Sequence, residues 1–130
     1  MIKNKVLLDT NAIINFITDD EKEKSKIVSN FLAAADCIVS TEVVAEVAYN
    51  LEKKYNHSRN LISEEIKDFI DIKQNLVLEE NVVRYACNIY CETKLDFVDC
   101  LLAGYAKVNG NVVFTFDNAL KKLLEHKSYN

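Results

Sequence analysis

Two short apolar runs, Lys5–Leu8 and Val112–Phe116, end at the aspartates Asp9 and Asp117, and each gives way at once to a pattern of helical spacing. Runs this short and this apolar read as strands covered on both faces, the habit of parallel sheets packed between helices. Cys37–Ser40 and Leu76–Leu78 are two more runs of the same kind, and segments of helical periodicity separate all of them. Strands alternating with helices predict an α/β fold with a parallel sheet between helical layers. The apolar spacing places helices at Ala12–Ile17, Glu21–Ala35, Glu42–Tyr55, Ser58–Ile72, Asn81–Thr93, Phe97–Val108 and Asn118–His126. Only Tyr55-Asn56-His57 separates the third helix from the fourth, too little for a strand, so those two are expected to pair as an antiparallel hairpin.

A chain of 130 residues with 49% hydrophobic content fits one compact domain, residues 1–130. Such a domain buries roughly two-thirds of its unfolded surface and needs no disulfide or metal to fold, so a bound metal would serve chemistry. There is no proline and there are only two glycines, which predicts short loops and no linker. No apolar run approaches the roughly 20 residues that span a bilayer, and Met1–Leu8 is too short for a secretory leader. A soluble, cytoplasmic protein is expected. In that compartment Cys37, Cys87, Cys91 and Cys100 read as reduced residues of the core. Cys87 and Cys91 share a helix face, but no second cysteine or histidine pair completes the four ligands that zinc requires.

The carboxylates are more informative. Ligands of an open parallel sheet bind beyond the carboxyl ends of its strands, where helix N-termini also point, and Asp9 and Asp117 both fall there. Taken singly, either residue is more often a helix cap, which stabilises by about 1 kcal/mol. Glu46 lies one turn into the helix after Cys37–Ser40, beside the stripe Val43, Val44, Val47 and Leu51, and a carboxylate there needs a partner. Glu42, in the first turn, is explained by the helix dipole. Asp99 projects into the arc of Leu102, Ala103 and Ala106, and no basic side chain stands three or four positions on. Burying its charge unpaired would cost several kcal/mol, so a cation, a basic partner or a raised pKa is required. Asp96 occupies the expected N-cap of that helix, and capping competes there with ligand duty.

These acids converge on one edge of the sheet, while the sequence offers no Ser-His-Asp set and no phosphate-binding glycine-rich loop. His57 and His126 are placed on the surface, away from that edge. An all-oxygen donor set suits Mg²⁺ or Mn²⁺ and selects reactions on phosphate, where metal charge offsets developing negative charge. The 20 acidic and 16 basic residues give a net charge of -4, which excludes retention on nucleic acid by overall charge but not by a bound cation.

With Asp9-Thr10-Asn11 after the opening strand, Thr41-Glu42-Val43-Val44-Ala45-Glu46 on a helix, Asp96-Phe97-Val98-Asp99, and a closing Thr115-Phe116-Asp117, the chain resembles PIN domains over nearly its whole length. It is more closely similar to the VapC-type toxins of toxin–antitoxin modules. The resemblance implies a three-layer α/β/α sandwich around a short parallel sheet of four to five strands. It implies a catalytic and metal-holding quartet of Asp9, Glu46, Asp99 and Asp117, with Asp96 as a further metal ligand. Thr10, Asn11 and Thr115 would be polar groups supporting them. The implied activity is endoribonucleolytic hydrolysis of single-stranded or exposed RNA with one or two Mg²⁺ or Mn²⁺ ions. The implied partners are the RNA, a cognate antitoxin and a second copy of the chain. Lys53, Lys54, Arg59, Lys121 and Lys122 are candidates for backbone contacts to the RNA.

Two other functions share parts of this pattern. A PIN-like scaffold without activity would have lost acids, whereas the quartet here is complete. A phosphoacceptor receiver domain needs adjacent acids after the first strand and an aspartate after a middle strand, but Asp9 is followed by Thr10 and no middle strand ends in aspartate.

Overall fold

The computed structural model describes residues 5–72 and 75–125. In chain order the elements are β1 (Val6–Leu7), α1 (Thr10–Thr18), α2 (Lys22–Ala34), β2 (Cys37–Val39), α3 (Thr41–Lys53), α4 (Arg59–Ile70), β3 (Asn75–Val77), α5 (Glu80–Glu92), α6 (Phe97–Asn109) and α7 (Asn118–Glu125). The strands pair in the order β1-β2-β3, all parallel, with Val6 opposite Cys37 and Ile38 opposite Leu76. The parallel direction puts the ends of all three strands on one edge, from which α1, α3 and α5 start.

Side-chain caps fix the starts of several helices. Asp9, Ser40 and Ser58 accept backbone N–H bonds from Ala12, Val43 and Leu61 at the heads of α1, α3 and α4. Gly110 closes α6 with φ of 73°, a left-handed conformation that glycine adopts without a Cβ penalty. The core is continuous, from Ile13 and Ile14 of α1 through Val39, Val47 and Leu51 to Val82, Ile89 and Tyr90 of α5 and Leu101 of α6. Helices α5 and α6 approach so closely that a Cβ added at Gly104 would stand 2.8 Å from the carbonyl oxygen of Val82. Cys37, Cys87 and Cys100 are buried in this core and Cys91 is half-buried, all as free thiols. Burial pushes the thiols of Cys87 and Cys100 up to about 12.

Helices α3 and α4 pack together across the short link 54–58, as expected of a hairpin, but α4 is used inside the chain. Its Ile62, Ile66, Phe69 and Ile70 are buried, so the pair does not leave two apolar faces for another molecule. Arg59, at the head of α4, is also used internally. Its guanidinium donates to the carbonyls of Tyr90, Thr93 and Leu95 at 3.2, 3.0 and 2.6 Å, and lies 4.1 Å from the centroid of the Tyr90 ring. It also pairs with Glu52 at 3.4 Å. The expectation that Arg59 contacts RNA is therefore corrected, because its donors tie α4 to the turn that leads into α6.

The sheet differs from expectation at the C-terminal run. Val112–Phe116 forms no strand, and among the described residues the sheet has three strands rather than four to five. Val112, Phe114 and Phe116 are 97%, 87% and 83% exposed, and only Val113 among the run's apolar residues packs on the core. Five apolar or Thr residues in a row look alike whether both alternating faces are covered or only one, and here only one is. The rings of Phe114 and Phe116 meet edge to face at 5.3 Å.

Candidate functional site

Asp9 stands at the first turn of α1, where its Oδ1 accepts from the Ala12 N–H at 2.9 Å. Asp117 repeats this at the head of α7, its Oδ1 accepting from the Leu120 N–H at 2.8 Å. Both are caps, as the ordinary explanation holds. Capping uses one oxygen of each carboxylate and leaves the second, and both side chains belong to exposed residues at helix N-termini, where backbone dipoles favour negative charge. The Thr115 hydroxyl accepts from the Asp117 backbone N–H at 3.0 Å and so fixes the turn that presents that carboxylate.

Thr10 is a buried polar residue, 7% exposed, and its hydroxyl donates to Oε1 of Glu46. This bond joins the start of α1 to the second turn of α3. Glu46 thus has the partner that its place beside an apolar stripe demands, although the residue itself remains exposed at the rim. Asn11 is exposed, and its backbone carbonyl accepts from the Asn15 side chain.

On α6, Asp99 is half-buried beside buried Ala103, with Leu102 at the rim. Desolvation raises its pKa above the ordinary carboxylate value, and the neighbouring charges of Asp117 and Asp96 raise it further. A raised pKa is one of the three outcomes that its apolar face allowed. Asp96 occupies the N-cap of α6, yet its side chain makes no capping hydrogen bond, which removes the ordinary explanation for an aspartate there.

The structure therefore brings the acids together in two sets: Glu46 held by Thr10, next in the chain to Asp9, and Asp99 within electrostatic reach of both Asp96 and Asp117. Among the described residues, no three acidic, histidine or cysteine side chains stand close enough to hold a metal ion as they are placed. A groove of about 330 Å³ is lined by Tyr49, Glu52 and Lys53 of α3 on one side and by Asp96 and Asp99 at the start of α6 on the other. Tyr49 and Glu52 belong to no short motif that would announce this groove. Their spacing from Ala45 by four and seven positions along one helix face was its only trace. His57 is occupied elsewhere, its Nδ1 2.8 Å from Oε1 of Glu65, and His126 lies outside the described residues.

The chain belongs to the PIN domain family, which it matches over residues 6–124. It is similar to the VapC ribonuclease of Aquifex aeolicus (strain VF5), with 29% identity over 123 residues that cover 90% of each chain. No solved structure matches the chain. No helix among the described residues is long and apolar enough to cross a membrane.

Proposed function

We propose that this chain is a metal-dependent endoribonuclease that hydrolyses RNA phosphodiester bonds, and that it is the toxin of a toxin–antitoxin pair. The observation that carries this is the Thr10–Glu46 hydrogen bond, which fixes a carboxylate of α3 beside the strand end bearing Asp9. Similarity to a VapC ribonuclease over 90% of each chain supports the substrate class.

The donor set fits Mg²⁺ or Mn²⁺ by its chemistry, being carboxylate throughout and free of the sulfur and imidazole that draw zinc. Asp9, Glu46, Asp96, Asp99 and Asp117 would hold one or two such ions, which supply acidity to a bound water and positive charge opposite the phosphate. The residues' own part is positional. Thr10 orients Glu46, Thr115 shapes the turn before Asp117, and the repulsion that Asp96 and Asp117 exert on Asp99 would be relieved by a cation placed among them.

A sheet of four or more strands belongs to the same proposal. β1 is an edge strand with Leu7 72% exposed, and Val112–Phe116 is an extended-type run with its outer side chains uncovered. Pairing of that run beside β1 would cover both surfaces and draw Asp117 toward Asp9, closing the gap between the two acidic sets. A single domain over 1–130, a cytoplasmic location, a cognate antitoxin and a homodimer are part of the same proposal. Incubation with total RNA and Mg²⁺ or Mn²⁺, with and without chelator, tests the activity. Metal-dependent fragments are expected, and intact RNA under all conditions would overturn the reading.

A further inference from the structure

We propose that the groove between α3 and α6 is a subsite for a single unstacked nucleotide of the RNA, with the ring of Tyr49 as the platform for its base and Lys53 as the contact for the adjoining phosphate. This rests on the ribonuclease reading above and adds to it a means of holding the substrate.

The groove's volume of about 330 Å³ lies at the lower end of small-ligand sites, about 300–1,000 Å³, which suits one nucleotide and excludes a duplex. Tyr49 and Lys53 of α3 and Asp96 and Asp99 across from them line it, and Val98 makes part of the apolar wall. Tyr49 is 59% exposed and Val98 56%, so a large aromatic face and an aliphatic one stand open to solvent on either side of the cleft. A flat π-face in a groove beside a cationic side chain is the chemistry of single-strand recognition, where stacking is tolerant of sequence and lysine meets the backbone.

The distances along α3 fit a chain of nucleotides. At 1.5 Å per residue, Tyr49 is about 4.5 Å and Lys53 about 10 Å further along the axis than Glu46. Along α3, a base on Tyr49 would therefore leave one flanking phosphate on the side of Glu46 and the other on the side of Lys53. The remaining polar side chain deep in the groove, Glu52, is occupied by the Tyr90 hydroxyl and Arg59, which stiffens the floor. A net charge of -4 makes such local contacts necessary, because the surface as a whole does not attract RNA.

The test is steady-state cleavage of a single-stranded RNA 12-mer containing one linkage that the parent cuts with Mn²⁺, using the parent, Tyr49→Phe and Tyr49→Leu. Tyr49→Leu is expected to raise KM about ten- to a hundredfold, the size of one base–aromatic stack, with kcat within about threefold. Tyr49→Phe should match the parent. A set of 12-mers with one abasic site at each position in turn should show a single position near the cut where the parent loses as much as Tyr49→Leu does. At that position the variant should lose nothing more. Equal KM for Tyr49→Leu and parent, or an abasic series in which the parent shows no such position, would overturn the subsite while leaving the nuclease intact. Failure of the parent to cut any RNA would overturn the ribonuclease reading, and the subsite with it.

Discussion

The hydroxyl of Thr10 donates to the carboxylate of Glu46 across 36 positions of the chain, making a buried threonine the link between two helices that start from neighbouring strands. Thr10→Val keeps the shape and removes the donor. Glu46 is exposed enough to stay hydrated, so the loss of stability should be at most about 1 kcal/mol. Cleavage should fall about 10- to 100-fold, as when groups behind metal ligands are removed. Paired thermal melts and rate measurements check this, and a large drop in melting temperature would make Thr10 a packing residue.

Asp99→Asn should leave the protein in chelator at least as stable as the parent, because the amide removes a charge that burial and two neighbouring aspartates disfavour. The sign with metal is opposite. A cation that binds only the folded state at a hundredfold excess over its Kd stabilises by about 2.7 kcal/mol, and the variant should lose most of that gain. Melts with chelator and with millimolar Mn²⁺ separate the two effects. Equal gains from Mn²⁺ would remove Asp99 from the site.

Glu52 has a pKa below the ordinary carboxylate value, chiefly because the Tyr90 hydroxyl donates to it and secondarily because Arg59 is near. A depressed folded-state pKa contributes stability that is present above the unfolded value and lost as pH falls through the folded one. Tyr90→Phe should therefore cost about 1–3 kcal/mol at pH 7, the range for a hydrogen bond to a charged group. The difference should shrink as acid protonates Glu52, below the usual carboxylate range. Urea titrations across pH would show it, and a difference that is constant with pH would assign the loss to packing of the Tyr90 ring.

Gly104→Ala should destabilise by about 1–3 kcal/mol, since the new methyl meets the backbone of Val82 at 2.8 Å and neither helix can shift without opening the core. The usual gain from replacing glycine in a helix, about 1 kcal/mol, opposes this and is the smaller effect. A rise in melting temperature would show that α5 and α6 have slack.

Much of this organisation was legible before the structure. The apolar runs at Lys5–Leu8, Cys37–Ser40 and Leu76–Leu78 are the three strands to within a residue or two, and Asp9 and Asp96 stand at the helix starts where side-chain chemistry put them. Asp99 was identified by a conflict between its charge and its face, which periodicity reveals. Val112–Phe116 reads as a strand in the sequence because composition records apolarity but not whether a neighbour is there to cover it. The role of Arg59 is hidden for a related reason. A single arginine at a helix start looks solvated, and only the fold brings the carbonyls of Tyr90, Thr93 and Leu95 to its guanidinium. The Tyr49 groove needs two helices distant in sequence, so no local pattern announces it.

The thiols of Cys87 and Cys100, inaccessible and held near 12, give the molecule an internal clock. At neutral pH they are almost wholly protonated while folded and revert toward ordinary reactivity, near pKa 8.5, only when the helices around them part. Alkylation at these two positions therefore counts opening of the helices packed around them, with half-buried Cys91, on the same helix as Cys87, as the more accessible thiol for comparison.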